Sequence, residues 1–132
     1  MTRPLPRPTD VELRILEVFW DLGPSTVRAV HHCIIKSPDR ADTSYSTTLK
    51  MIQVLHEKGF LKKDSSVRPQ IYTTTVSRAG MQRRVMEDVA HRLFGGAMTD
   101  LVQCVISSDA VSLEELNEMQ RLIRQAKRGD RS

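Results

Sequence analysis

At 132 residues, with 39% apolar side chains, the chain has the size of one domain or of a small domain carrying an oligomerisation segment. Twenty Lys and Arg against sixteen Asp and Glu leave a net charge of +4, which favours an anionic partner without defining one. No apolar run approaches the roughly 18 residues of a membrane span, and the opening MTRPLPRPTD lacks an apolar signal core, so a soluble, cytoplasmic protein with no membrane partner is expected. Cys33 and Cys104 stand far apart beside aliphatic residues and read as buried, reduced thiols. Only 5% of the residues are aromatic, which points to an aliphatic, helix-rich core with little sheet.

Residues 1–8 hold three prolines and two arginines, an extended lead-in that ends at Thr9. Thr9 is a good N-cap, with Glu12 three residues on as its capping-box partner. A first helix follows to about Leu22, with Val11, Ile15, Val18, Phe19 and Leu22 on its apolar face, and Gly23-Pro24 ends it. Ser25 or Thr26 caps a second helix, whose apolar positions Val27, Val30, Ile34 and Ile35 carry it to about Lys36. The polar stretch SPDRADTS separates it from a third helix, from near Ser46 to Lys58, closed by Gly59.

Beyond Gly59 the pattern changes to short β-type runs, Phe60 to Lys63 and Gln70 to Thr75, joined by turn material that includes Arg68. Three helices and a hairpin in this order read as a winged helix, with helices two and three forming a helix-turn-helix. The remainder is helical again, near residues 78–94, 97–106 and 113–127. Ser112 and Glu115 form a second capping box. Met81, Val85, Val89 and Leu93 step by four along the first of these helices, Leu101 lies on the second, and Leu113, Leu116, Met119, Leu122 and Ile123 repeat on the last. Short amphipathic helices do not bury such stripes alone, and packing against symmetry mates in a homodimer would cover them. The expected organisation is mainly α with a small β-hairpin: a winged helix-turn-helix domain over residues 1–75 and a helical dimerisation region over 76–132. Residues 1–74 hold 11 basic and 8 acidic side chains against 9 and 8 in the rest, so most of the excess positive charge falls on the winged helix.

At 100° per residue, Thr48, Met51, Ile52 and Leu55 share the core side of the third helix, and Ser46, Thr47, Lys50, Gln53 and Val54 gather opposite. Hydroxyls bond phosphate or base edges, Lys50 reaches guanine or phosphate, Gln53 suits adenine, and Val54 suits a thymine methyl. A solvated face would hold Glu and Lys pairs, yet this helix has no acidic residue before Glu57. Lys62, Lys63 and Arg68 stand where a wing would track the DNA backbone. Ser25, Thr26 and Arg28 open the second helix, whose free amides favour a phosphate. A double-stranded DNA operator is therefore the expected partner; the rival reading is a winged-helix module that binds a protein through the same surface.

Enzymatic chemistry finds no support in the sequence. His31, His32 and Cys33 are consecutive on a helix and diverge by about 100° each, so they do not converge on one metal. No Gly-rich phosphate loop or nucleophile-base pair stands out, and neither a metal nor a cofactor is expected.

Four segments in order, PTDVELRILEVFW, GPSTVRAVHH, YSTTLKMIQVLHEKGFL and LFGGAMTDLV, resemble the penicillinase repressor family of the BlaI/MecI type, over nearly all of residues 8–127. The resemblance implies a dimeric winged-helix transcriptional repressor that occupies a palindromic operator. It places Ser46, Thr47, Lys50 and Val54 on the base-facing side, although the family pattern tends to have threonine where Lys50 stands and arginine where Val54 stands. In relatives that respond to β-lactams it implies a membrane sensor-protease as a further partner, with cleavage in the helix after the paired glycines, often at an Asn-Phe bond. The corresponding position here is Cys104-Val105, a departure from that pattern. The cysteine-rich tail of copper-responsive relatives is absent from LIRQAKRGDRS.

Overall fold

The computed structural model describes residues 7–129, which form six α-helices and one two-stranded hairpin. The chain divides into two compact units, Met1–Val85 and Met86–Ser132.

In the first unit, α1 (Asp10–Leu22) begins with the expected capping box: Glu12 N–H donates to Thr9 Oγ1 at 3.2 Å, and Thr9 N–H donates to Glu12 Oε1 at 2.9 Å. The second oxygen of Glu12 accepts a bond from Lys58 Nζ at 2.6 Å, joining the start of α1 to the end of the third helix. Burial pushes the Glu12 carboxyl up, but the bonds from Lys58 and Thr9 outweigh it and hold the group below its ordinary 4.5. The inner stripe of α1 is Ile15, Leu16 and Phe19; Val11 and Val18 are half-buried and Leu22 is 47% exposed. The helix therefore sits rotated from the expected face, towards Leu16 and away from Leu22.

Thr26 caps α2 (Val27–Ile34), its hydroxyl accepting from Ala29 N–H at 3.1 Å, and the helix stops two residues short of Lys36. A 3-10 turn at Pro38–Arg40 leads to α3 (Tyr45–Glu57). The cap of α3 is Ser44, which accepts from Thr47 N–H at 3.1 Å, so the helix starts one residue before Ser46. Its far end is a Schellman turn. Phe60 N–H donates to Leu55 O at 2.9 Å and Gly59 N–H to His56 O at 3.1 Å, with Gly59 at φ 93°, a conformation that costs glycine nothing. That turn drops Phe60 into the core beside Leu55, both with no exposed surface.

The hairpin pairs β1 (Leu61–Asp64) with β2 (Ile71–Thr74) antiparallel, Leu61 opposite Thr74 and Asp64 opposite Ile71. Asp64 accepts from the Ser66 amide and hydroxyl, which organises the turn; those bonds hold its carboxyl low. A backbone bridge between Ser25 and Tyr72 fastens the entry of α2 alongside β2. The core collects Ile15, Leu16 and Phe19 of α1, Val27, Val30 and Ile34 of α2, and Ile52 and Leu55 of α3, together with Phe60, Leu61, Tyr72 and Met81.

Met81 belongs to α4 (Arg78–Phe94), and it explains why the first unit runs to Val85 and not to residue 75. Trp20 Nε1 donates to Val76 O at 3.0 Å, Arg78 bonds Asp21 at 2.6 Å and lies over the Trp20 ring, and Met81 is 2% exposed. Met81 is thus a core residue of the first unit, unavailable to a dimer surface, and Val85 is half-buried against the same core.

The second unit holds the end of α4 with α5 (Met98–Ser107) and α6 (Leu113–Arg128), the last opened by the Ser112/Glu115 capping box. Among its described residues only Ala90 is a buried apolar side chain. Leu93, Met98, Val102, Val105, Ile106, Leu113, Leu122 and Ile123 are all exposed in the single chain, and Cys104 is exposed where burial was expected.

Candidate nucleic-acid interface

The outer side of α3 is as open as its composition implies. Thr48, Ile52 and Leu55 are buried with Met51 half-buried, while Ser46, Thr47, Lys50 and Gln53 are exposed and Val54 is half-buried. Ser44, which the sequence reading passed over, organises the first turn. Its hydroxyl meets those of Thr47 at 2.8 Å and Ser46 at 3.2 Å, so one capping network holds both candidate hydroxyls. A serine three residues ahead of Thr47 was the available signal.

Beside α3 runs an open groove of about 720 Å³, walled by the start of α2, one flank of α3 and the hairpin. Thr26 and Arg28 line it from α2, Tyr45, Leu49 and Gln53 from α3, and Lys63 and Arg68 from the hairpin. Five expected site residues, Thr26, Arg28, Gln53, Lys63 and Arg68, thus meet around one concavity. Lys62 is exposed on the hairpin outside it. By helical geometry Ser46 and Lys50 occupy the pole of α3, Gln53 the edge shared with the groove, and Thr47 and Val54 the opposite flank. Ser25 does not join the site. It is 8% exposed, its hydroxyl donates to Gly23 O at 2.8 Å, and its backbone pairs with Tyr72.

Ion pairing separates the cations of this surface from several others of the unit, although Lys36 and Arg83 share with them the lack of a carboxylate partner among the described residues. Arg14 pairs with Asp39, Lys58 with Glu12 and Arg78 with Asp21, whereas among the described residues Arg28, Lys50, Lys62, Lys63 and Arg68 have no carboxylate partner. Their charge is uncompensated and available to an anion of matching length. Among the described residues, Glu57 is the one acidic residue lining the groove.

Two of the four histidines make structural contacts. His31 Nδ1 lies 2.9 Å from Thr48 Oγ1, tying α2 to the buried side of α3, and the His56 ring meets Tyr72 edge-on at 6.1 Å. Burial, with a smaller contribution from nearby Tyr45, pushes the Tyr72 phenol up, so it stays neutral at working pH.

Comparison with known proteins finds relatives along nearly the whole chain. The model of the penicillinase repressor family matches residues 8–125. The penicillinase repressor of Bacillus licheniformis is 24% identical over 124 residues, covering 93% of this chain and 94% of that protein. A solution structure of monomeric B. licheniformis BlaI in complex with the blaP half-operator aligns at TM-score 0.47 and 23% identity, covering 60% of this chain and 93% of that one. Because the family model spans nearly the whole chain, this winged-helix protein belongs to the penicillinase repressor family, and is a DNA-binding transcriptional regulator and not an enzyme.

Proposed function

We propose that the protein is a homodimeric repressor that occupies a palindromic operator and blocks transcription sterically. The observation that carries this reading is the convergence of uncompensated cations, from α2, α3 and the hairpin, around the open face of one helix. Ser46, Lys50 and Gln53 contact base edges, with Thr47 and Val54 on the flank. Arg28, Lys62, Lys63 and Arg68 hold phosphates, and Thr26 with the start of α2 offers amides to another.

Dimerisation is assigned to the second unit. Leu93, Leu101, Leu113, Leu116, Met119, Leu122 and Ile123, with Val89 on α4, remain from the expected stripes, and the exposed Met98, Val102, Val105 and Ile106 extend them. A second copy covers these stripes and sets two recognition helices about 34 Å apart, one in each of two successive major grooves. Double engagement then multiplies affinity without any new contact to DNA. A sensor protease acting at Cys104-Val105 would meet a bond in the middle of α5, so cleavage there requires that helix to open first.

Sedimentation combined with duplex titration tests the reading. The full-length protein is expected to sediment as a dimer and to bind a palindrome at least about 100-fold more tightly than a single half-site. Equal affinity for the two duplexes, or full affinity in a proven monomer, would contradict it.

A further inference from the structure

Tyr45 is a residue of this surface for which neither base reading nor core packing accounts. It is the first residue of α3, 38% exposed, and it lines the groove. Two groups of α2 pack against its ring: the Arg28 guanidinium lies 5.5 Å from the ring centroid, and the His31 ring lies 5.6 Å away at 57°. His31 is itself fixed by its bond to buried Thr48. Packing of this kind needs only the ring, and phenylalanine would supply it. The hydroxyl has no hydrogen-bond partner among the described residues, although it stands in a groove that also carries Arg28, Lys63 and Arg68. An unused donor on a ring packed against Arg28, in a groove that Lys63 and Arg68 also line, suits an acceptor-rich anion that runs along the groove.

We propose that Tyr45 is an affinity-determining contact to the sugar-phosphate backbone. One strand of the duplex lies in the groove between α3 and the hairpin, the Tyr45 hydroxyl donates to a phosphate oxygen, and Arg28 both stacks on the ring and neutralises the strand. The assignment rests on the DNA-binding reading above. It divides labour on α3: the flank that carries Tyr45 grips the backbone, and the pole that carries Ser46 and Lys50 reads bases. Because phosphates carry no sequence information, the Tyr45 contact contributes equally on every duplex.

The test is Tyr45→Phe in the full-length protein, measured by fluorescence anisotropy on operator and on unrelated duplex, with the melting temperature as the folding control. The variant is expected to melt as the wild type does, to bind both duplexes about five- to tenfold more weakly, and to keep the ratio between them. A scan in which single phosphates of the operator are replaced by neutral methylphosphonates locates the contact. One position in each half-site should weaken the wild type by more than it weakens Tyr45→Phe. Unchanged affinity in Tyr45→Phe, a loss confined to the operator, or additive effects at every scanned phosphate would overturn the assignment while leaving DNA binding in place. Wild-type protein that binds no duplex would overturn the reading beneath it as well.

Discussion

In the first unit every helix has a place for its apolar stripe: α1, α2 and α3 meet around Phe19, Val30, Ile52 and Leu55, and even the start of α4 contributes Met81. In the second unit α5 has no buried residue, α6 has none, and Leu93 and Leu113 are 75% and 73% exposed. The first unit therefore buries most of its apolar stripes and presents a polar, cationic face, and the second presents an apolar one. Each face implies its own complement, a polyanion for the first and a matching apolar surface for the second. The same contrast predicts that damage to one unit lowers stability and damage to the other lowers assembly.

Substitution at a core position draws the comparison most sharply. Phe60→Ala should cost the first unit about 3–5 kcal/mol, read from denaturant unfolding, because it empties a fully enclosed site. Leu122→Arg should leave that unfolding transition in place yet prevent dimerisation and weaken operator binding at least about 100-fold. If Leu122→Arg stayed dimeric, the apolar face of the second unit would need another explanation. Lys50→Ala should change the ranking of operator variants by about tenfold at the base pair it contacts, with little effect on unrelated duplex, when binding to a panel of single-base variants is compared.

The smallest effect concerns Glu12. Glu12→Gln should destabilise the first unit by about 1–2 kcal/mol at neutral pH, through loss of the Lys58 pair and of part of the capping box. The carboxyl is held below 4.5 in the folded protein, so its contribution is present above that pH and is lost as pH falls through the folded value. Melting curves of wild type and variant should therefore converge in acid. A gap that persisted well below pH 4 would show that the carboxylate charge is not what Glu12 contributes.

Legibility followed the range of the interactions. Both capping boxes, Thr9/Glu12 and Ser112/Glu115, and the turn at Gly59-Phe60 depend on backbone groups within six residues and were plain in the sequence. The hairpin and the outer side of α3 were equally plain, because period and turn chemistry fix them. What the sequence hid was the identity of the covering partner. Met81, Val85, Val89 and Leu93 form one unbroken stripe by spacing, yet it runs from 2% exposed at Met81 to 75% at Leu93. The period is the same throughout, and only tertiary contact distinguishes its ends. Leu16 against Leu22 on α1, and the exposure of Cys104, follow the same rule. Ser25 looked like a phosphate contact because its pairing with Tyr72 joins positions 47 residues apart.

The claim beneath the whole account is that the cations left unpaired around α3 are there for a polyanion, and the salt dependence of duplex binding measures that directly. The logarithm of affinity should fall steeply and linearly with the logarithm of salt concentration, and a Lys62→Ala, Lys63→Ala double variant should reduce the slope by about two. A slope near zero, or one that the double variant leaves unchanged, would contradict it.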